Sequence, residues 1–543
     1  MKSFKSIGFV IVAFCIASLA SPIGSDNSSL LVNLAQNSFN LNVDAPNNST
    51  HVQVLEDAIN RTYNTADAFQ GLNLIELQVF PTYESTNTRE DYAVIVDMEG
   101  NVINGFYQND RSGHLQFVNS TTVFFSDAVS GNFTLWNIYT NETEYTMAPS
   151  GHHDSEYNPV TETFMTIVSV NDQGDYNWSG DVQPIVGDDI VEYDKDGNEI
   201  WRWNGSLTFP FNENEWMLRN ESRRGEIDWM HSNGLYWDIE DNAIYLSVRH
   251  LDCVVKVDYE TGDTVWVAGR YTGEGPALTM HNLMSEEVDT IYYHTHAVEL
   301  IAPNTLLLFD NDFWNLTRPD PLIGISGYVE FTVDENAMTA TETWTWRAPE
   351  EYYADSQGDT ARLPNGNTLG AFNLRPRPIV TEVNQAGDIV WEWFFEPTDF
   401  GSHTYGWGVS ANGIMRFLEG PEIAIDVDSA WQAPSTLTMS VWEVTQFRWT
   451  TNGSVRVFED GELLTEEEFT FLPHWQETPL SISLPGLAAG SHELTIEIEN
   501  EDGMTSSIDL GITIPSDILL YGAIIGGVAV VLVVVLYFWI KKR

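Results

Sequence analysis

Histidine is scarce in this chain, 12 in 543 residues, yet several histidines sit in company that suits chemistry. They fall in Gly151-His152-His153-Asp154, in Asp228-Trp-Met-His231-Ser-Asn233, and in Tyr293-His294-Thr-His296-Ala. Arg249 and His250 follow the strand-like run Ala243-Ile-Tyr-Leu-Ser247. His153, His231 and His296 recur at about 65–80 residues, a spacing that suits one histidine per structural repeat. Three converging imidazoles serve either of two chemistries. They hold a metal such as zinc or copper, or they supply a nucleophile and an acid–base pair for an anionic ester. Arg249 favours the second, because a guanidinium opposes a cation but clamps sulfate or phosphate oxygens. Asn233 adds a neutral donor.

Something must bring these positions together. From residue 75 to 420 the sequence runs in short alternating stretches separated by turn signals, an all-β pattern. A phrase repeats inside it: Val191-Glu-Tyr-Asp-Lys-Asp-Gly197 to Trp201 and Trp203, Val257-Asp-Tyr-Glu-Thr-Gly262 to Trp266, and Val383-Asn-Gln-Ala-Gly387 to Trp391 and Trp393. Val96-Asp-Met-Glu-Gly100 opens the series, and a weaker copy ends at Trp344 and Trp346. Each reads as strand, glycine turn, strand, with an aromatic beneath. Leu363-Pro-Asn-Gly366-Asn adds an Asn-Gly hairpin. Repeated hairpins at this spacing predict a β-propeller, and the length suits about six blades. In such a ring one end of each innermost strand faces the central channel, where His153, His231 and His296 would meet. Residues 421–515 alternate strictly, as in Leu437-Thr-Met-Ser-Val-Trp442 and His492-Glu-Leu-Thr-Ile-Glu-Ile498, which predicts one immunoglobulin-like β-sandwich acting as a stalk.

The stretch from His231-Ser-Asn233 through Arg249-His250 to Val254-Val-Lys-Val-Asp258 resembles the arylsulfotransferase family. So do His296-Ala-Val followed by Phe309-Asp-Asn311, the His153-Asp154 pair, and Leu363-Pro-Asn-Gly-Asn. The resemblance covers residues 75 to 415. It implies an exported six-bladed propeller that is independent of the nucleotide sulfate donor. It also implies sulfuryl transfer from a phenolic sulfate ester to a phenol through a sulfohistidine. Carried across, it places the nucleophile on His296, with His153, His231, Asn233 and Arg249 in support, and with neither cofactor nor metal. Two histidines flank the match: His294 rivals His296, and His152 rivals His153. A non-catalytic surface-binding propeller and a metal-dependent propeller enzyme are the competing expectations.

The ends of the chain predict where this happens. Lys2 and Lys5 precede an apolar run, so residues 1–21 read as a secretory signal. Residues 22–74, rich in Asn and Ser, read as a partly disordered leader. Residues 518–540 carry no charge and are followed by Lys541, Lys542 and Arg543, which predicts a single transmembrane helix with residues 541–543 as a cytoplasmic tail. Cys15 lies in the signal, leaving Cys253 alone and no intrachain disulfide. Dense sequons, Asn60 and Asn315 among them, suggest a glycosylated surface. The formal charge of −55 repels nucleic acid and anionic lipid, and it means that an anionic substrate needs a local basic site.

Overall fold

The computed structural model describes residues 55–514 apart from short stretches, the longest of them 81–89. All belong to the unit formed by residues 38–543. The segments expected to be a signal (1–21), a transmembrane helix (518–540) and a cytoplasmic tail (541–543) lie outside the described residues. Among those described, no helix is long and apolar enough to cross a membrane.

Six sheets follow one another along the chain, each built on four antiparallel strands. The second runs from Ser112–Asn119 to Thr143–Met147, the third from His152–Asn158 to Glu199–Trp203, and the fourth from Ser232–Asp238 to Thr264–Gly269. The fifth runs from His296–Ala302 to Thr339–Arg347, and the sixth from Asp359–Arg362 to Ile389–Phe395. The first sheet is composite. Leu72–Phe80, Glu90–Val96 and Val102–Gln108 take their fourth strand, His403–Phe417, from far downstream.

The leading strand of each sheet packs on the leading strand of the next, and Asp359–Arg362 packs back on His403–Phe417, so the six form a closed ring. Two long-range pairings clasp it. His403–Phe417 pairs with Leu72–Phe80, and Ile59–Asn64 adds to the sixth sheet with Ile59 opposite Phe395. The ordered fold therefore starts before residue 75, inside the segment expected to be leader, because Ile59–Asn64 completes a sheet edge that the sixth sheet would otherwise leave unpaired.

The apolar cores lie between neighbouring sheets. Leu235 and Trp237 join a cluster with Met165 and Ile167 of the third sheet, while the intervening Tyr236 joins Leu300 and Leu306 of the fifth. Successive side chains on one strand thus serve opposite neighbours. This is why Ala243–Val248 is buried along its whole length and reads as a continuous apolar run. Each fully buried Val, Leu or Ile contributes about 1.5–3 kcal/mol.

The repeated glycine phrases occupy one place in the architecture, the turn between the third and fourth strands of a sheet. Gly100, Gly197, Gly262 and Gly387 have φ of 96°, 80°, 74° and 90°. Asp97 and Asp194 cap their turns by accepting backbone N–H bonds at 2.8–3.0 Å.

Beyond the ring, two antiparallel sheets spanning Glu422–Ala424 to Thr505–Ile514 share a core that includes Leu437, Val455, Ile482 and Ile496. This region is more than a spacer. Val444, Phe447, Trp449 and Trp475 belong to the same buried cluster as Leu74, Leu115 and Trp391 of the ring. Of the sequons, Asn315 is buried, and its amide donates to Asp312 Oδ1 at 2.6 Å. The glycosylation expected there has no exposed acceptor nitrogen to use.

Candidate active site

The histidines sit where the innermost strands begin, and there regular pairing breaks in one sheet after another. Register shifts fall between Thr166 and Ile167, opposite Ser155 and His152, between Ser232 and Gly234, and between His296 and Val298. His153, His231 and Ala297 have φ of 63°, 49° and 51°, left-handed values uncommon for a residue with a Cβ. Such bulges re-aim the side chains beside them. Gly234 serves the same place: a Cβ there would stand 3.1 Å from the Val298 nitrogen and 3.2 Å from that of Ala297.

The imidazoles form a continuous row. Ring centroids are 5.2 Å apart for His152 and His153, 4.8 Å for His153 and His231, 4.5 Å for His231 and His250, and 5.7 Å for His250 and His294. His250, which the spacing argument left out, stacks between His231 and His294. Its tautomer is fixed. Nδ1–H donates to the Asp228 carbonyl at 2.7 Å, and Nε2 accepts from Arg249 Nη1 at 2.9 Å. Arg249 also donates to the Asp355 carbonyl at 3.3 Å, and its guanidinium carbon lies 5.8 Å from the Phe313 ring centroid.

His296 is buried, and its hydrogen bonds define both ring nitrogens. Asn311 donates its amide to the carbonyls of Ala354 and Gln357, each at 2.8 Å, which turns Asn311 Oδ1 toward His296 Nδ1 at 2.6 Å. Nδ1 therefore carries the proton. Nε2 keeps its lone pair and accepts the Gln357 backbone N–H at 3.2 Å. Burial, then the charge of Arg249, and then His231 and His294 hold the His296 imidazolium well below its usual range, against the pull of Asn311. His296 is thus a neutral imidazole with a defined acceptor nitrogen.

His231 Nδ1 lies 2.6 Å from Asp228 Oδ2. Burial pushes its pKa down to about 4, with Asp228 opposing and His250 adding to the shift. Each rival histidine pairs one ring nitrogen with a carboxylate. His294 Nδ1 faces Asp252 Oδ1 at 3.1 Å, with Arg270 on the other carboxylate oxygen at 2.8 Å. His152 Nε2 faces Asp188 Oδ1 at 2.9 Å. Asn233 is buried, and its amide donates to the Thr295 carbonyl at 3.0 Å, so it braces the peptide next to His296.

Five predicted residues, His153, His231, Asn233, Arg249 and His296, therefore lie at adjoining positions on three neighbouring sheets and the turn after Ala243–Val248. The sequence reading named Asp228, His250 and Asn311 without giving them a role, and it missed Gln357. Asp228 stands three residues before His231, and Asn311 ends the Phe309-Asp-Asn311 phrase, so both were within sight without a role. Asp228, His231 and His250 offer three ligand atoms within 4.8 Å of one another. The set does not suit a cation, because the guanidinium of Arg249 already occupies the His250 lone pair.

The sequence profile of one family, described as Arylsulfotransferase (ASST), matches residues 62–375. This chain belongs to the arylsulfotransferase family. A curated relative, arylsulfate sulfotransferase AssT of Escherichia coli O6:H1, is 27% identical over 144 residues, 23% of this chain and 24% of the relative. The match thus spans about a quarter of that protein. Among solved structures, a protein of unknown function from Bacteroides caccae is similar at TM-score 0.31 and 10% identity, covering 63% of this chain and 98% of that one. A putative 6-phosphogluconolactonase from Bacteroides uniformis is similar at TM-score 0.33 and 12% identity, covering 75% and 99%. At these scores the structural likeness carries no argument.

Proposed function

We propose that the ring is a six-bladed β-propeller whose channel transfers a sulfuryl group from a phenolic sulfate ester to a phenol, through a sulfohistidine on His296 and without a nucleotide donor. The observation that carries this reading is the fixed tautomer of His296: an uncharged, buried imidazole with its lone pair on Nε2. In the first half-reaction Nε2 attacks sulfur, the S–O bond to the aryl group breaks, and the phenolate leaves with the electron pair. Arg249 is the cation beside the row and the clamp for the non-bridging sulfate oxygens. In the second half-reaction the acceptor phenol oxygen attacks sulfur and the N–S bond breaks. His231, neutral at pH 7 and paired with Asp228 through Nδ1, takes the phenol proton on Nε2.

The two sheets after residue 421 have the size of an immunoglobulin-like sandwich. The uncharged run 518–540 and the apolar N-terminal stretch support an exported protein held by one membrane span. The test incubates the protein with p-nitrophenyl sulfate and a phenol. Acceptor-dependent p-nitrophenol release, with an acid-labile adduct on His296, is the expected result. An adduct on His294 would move the nucleophile, and no release from folded protein would leave the family with a binding role here.

A further inference from the structure

Beneath the histidine row the ring interior changes character. Asp154 of the third sheet, Glu299 of the fifth and Asp359 of the sixth line a cavity of about 40 Å³, and Glu156 is buried beside Asp154. The group that meets them comes from outside the ring. Arg448, in the connection between Thr436–Trp442 and Thr451–Glu459, reaches into this layer. It is buried, pairs with Glu156, and lies with its guanidinium carbon 4.0 Å from the Tyr236 ring centroid. His474, from the same downstream region, faces the Tyr236 hydroxyl at 2.6 Å. Thr450 donates to Glu240 on the ring at 2.7 Å through its backbone and 2.8 Å through its hydroxyl.

His114, Asp154 and Glu156 offer three ligand atoms within 4.8 Å of one another, and Arg448 supplies the positive charge at that cluster. Asp154 is the link to the chemistry. It follows His153, its two carboxylate oxygens accept the backbone N–H groups of Ser155 at 2.8 Å and Leu235 at 2.5 Å, and His114 Nδ1 lies 3.0 Å from it. One carboxylate thereby ties the second, third and fourth sheets together, beside the bulges that aim His153, His231 and Asn233. Burial and the neighbouring Glu156 push the Asp154 carboxyl well above its ordinary range, while Leu235 and Arg448 oppose that shift.

We infer that Arg448 is a positioning residue for the histidine site. Inserted from the C-terminal sandwich, it fills the ring beneath the site and keeps Asp154 an acceptor for the strands next to His153 and His231. The sandwich is then part of the catalytic assembly. The kinetic readout rests on the sulfotransferase reading; the structural readout does not.

The test uses the full chain with R448M, R448K and the double variant R448M/E156Q. R448M is expected to lower kcat by about 5–100-fold with KM for p-nitrophenyl sulfate unchanged, as slight misplacement of reacting groups does. It is also expected to speed amide exchange at Ser155 and Leu235 while leaving the outer strands protected. R448K, which keeps the charge, restores most of both. The double variant removes a buried pair as a unit, which folds generally tolerate. It decides alone where R448M does not fold: reduced kcat with fast exchange at Leu235 supports the inference. Parental kcat and parental Leu235 exchange in a folded R448M or double variant overturn it, as does exchange that quickens uniformly over the ring. If the parent protein turns over no aryl sulfate, the functional reading fails, and exchange at Ser155 and Leu235 still decides the role of Arg448.

Discussion

The outer hairpins and the inner strand entries of the ring follow opposite rules. At the outer edge, four sheets solve the same problem in the same way: an Asp or Asn turn with glycine at φ between 74° and 96°. At the inner entries no two sheets agree. The third carries His153-Asp154, the fourth His231 and Asn233 around a bulge, and the fifth His296 before a left-handed Ala297. Repetition serves stability, since any outer turn that closes its hairpin will do. On the proposed mechanism divergence serves chemistry, since a single site needs a nucleophile, a base and a cation from different directions. In these four outer turns the positive φ falls on glycine, whereas at the inner entries it falls on His153, His231 and Ala297, where a Cβ makes the backbone cost real.

The sharpest break in this comparison is His296→Gln. With His296 as the proposed source of the attacking nitrogen, it should lower kcat by at least about 1,000-fold, while the melting temperature stays near that of the parent. Calorimetry beside the p-nitrophenyl sulfate assay checks both halves. Next comes Asn311→Leu. It keeps His296 but releases the tautomer, so a loss of about 10–100-fold in kcat is expected, the range seen when the partner orienting a reactive imidazole is removed. Nitrogen NMR of labelled histidine should show His296 passing from one tautomer to a mixture; a single unchanged tautomer would overturn the role of Asn311.

The two regions differed equally in how they could be read. Asp194 and Gly197 make their turn with each other, so the outer hairpins were legible in a few consecutive residues. The all-β class and the histidine spacing followed from them. The pairs that make the site work are long-range. Asn311 lies on the strand after His296, Gln357 comes from the approach to the sixth sheet, and His250 reaches the row only because Arg249–Leu251 turns sharply after its strand. The clasping strands Ile59–Asn64 and His403–Phe417 are separated from their partners by more than 300 residues of chain, and no local period announces such a pairing. Arg448 was invisible for the same reason, since a lone arginine in a strand connection carries no signal until the ring around it exists.

The two layers of the channel also oppose each other in pH. The folded pKa of His231 is pushed down by burial to about 4. Between that value and the ordinary histidine range the unfolded chain binds a proton that the folded chain refuses. Its contribution to stability is therefore present above the ordinary range and is lost as pH falls toward about 4. With this neutral form as the proposed base, kcat should fall on the acid side with a limb near pH 4. Asp359 does the reverse. Burial raises its carboxyl to about 7, against the N–H groups of Ile414 and Thr360. From the ordinary carboxyl range up to about 7 the folded chain keeps a proton that the unfolded chain has released, so stability declines as pH rises through that window. Asp359→Asn removes this term. Relative to the parent, the variant should gain on the order of 2–3 kcal/mol between pH 5 and pH 8 in denaturant titrations. A constant difference across that range would mean that Asp359 is ionised in the folded protein.

The smallest effect belongs to the outer edge. Gly387→Ala places a Cβ at φ 90°, 3.4 Å from Trp346 Cδ1, an ordinary contact, so the cost is backbone strain alone. A loss of about 1 kcal/mol is expected, with kcat unchanged. The Trp346 indole donates to the Gly387 carbonyl at 3.0 Å, so the turn of the sixth sheet is also an anchor for the fifth. If outer turns serve stability alone, Gly387→Ala and Gly197→Ala should cost similar amounts and neither should touch turnover. A fall in kcat for Gly387→Ala would show strain passing through Trp346 and the fifth sheet to His296, and the division of labour between the two edges would then be incomplete in that sheet.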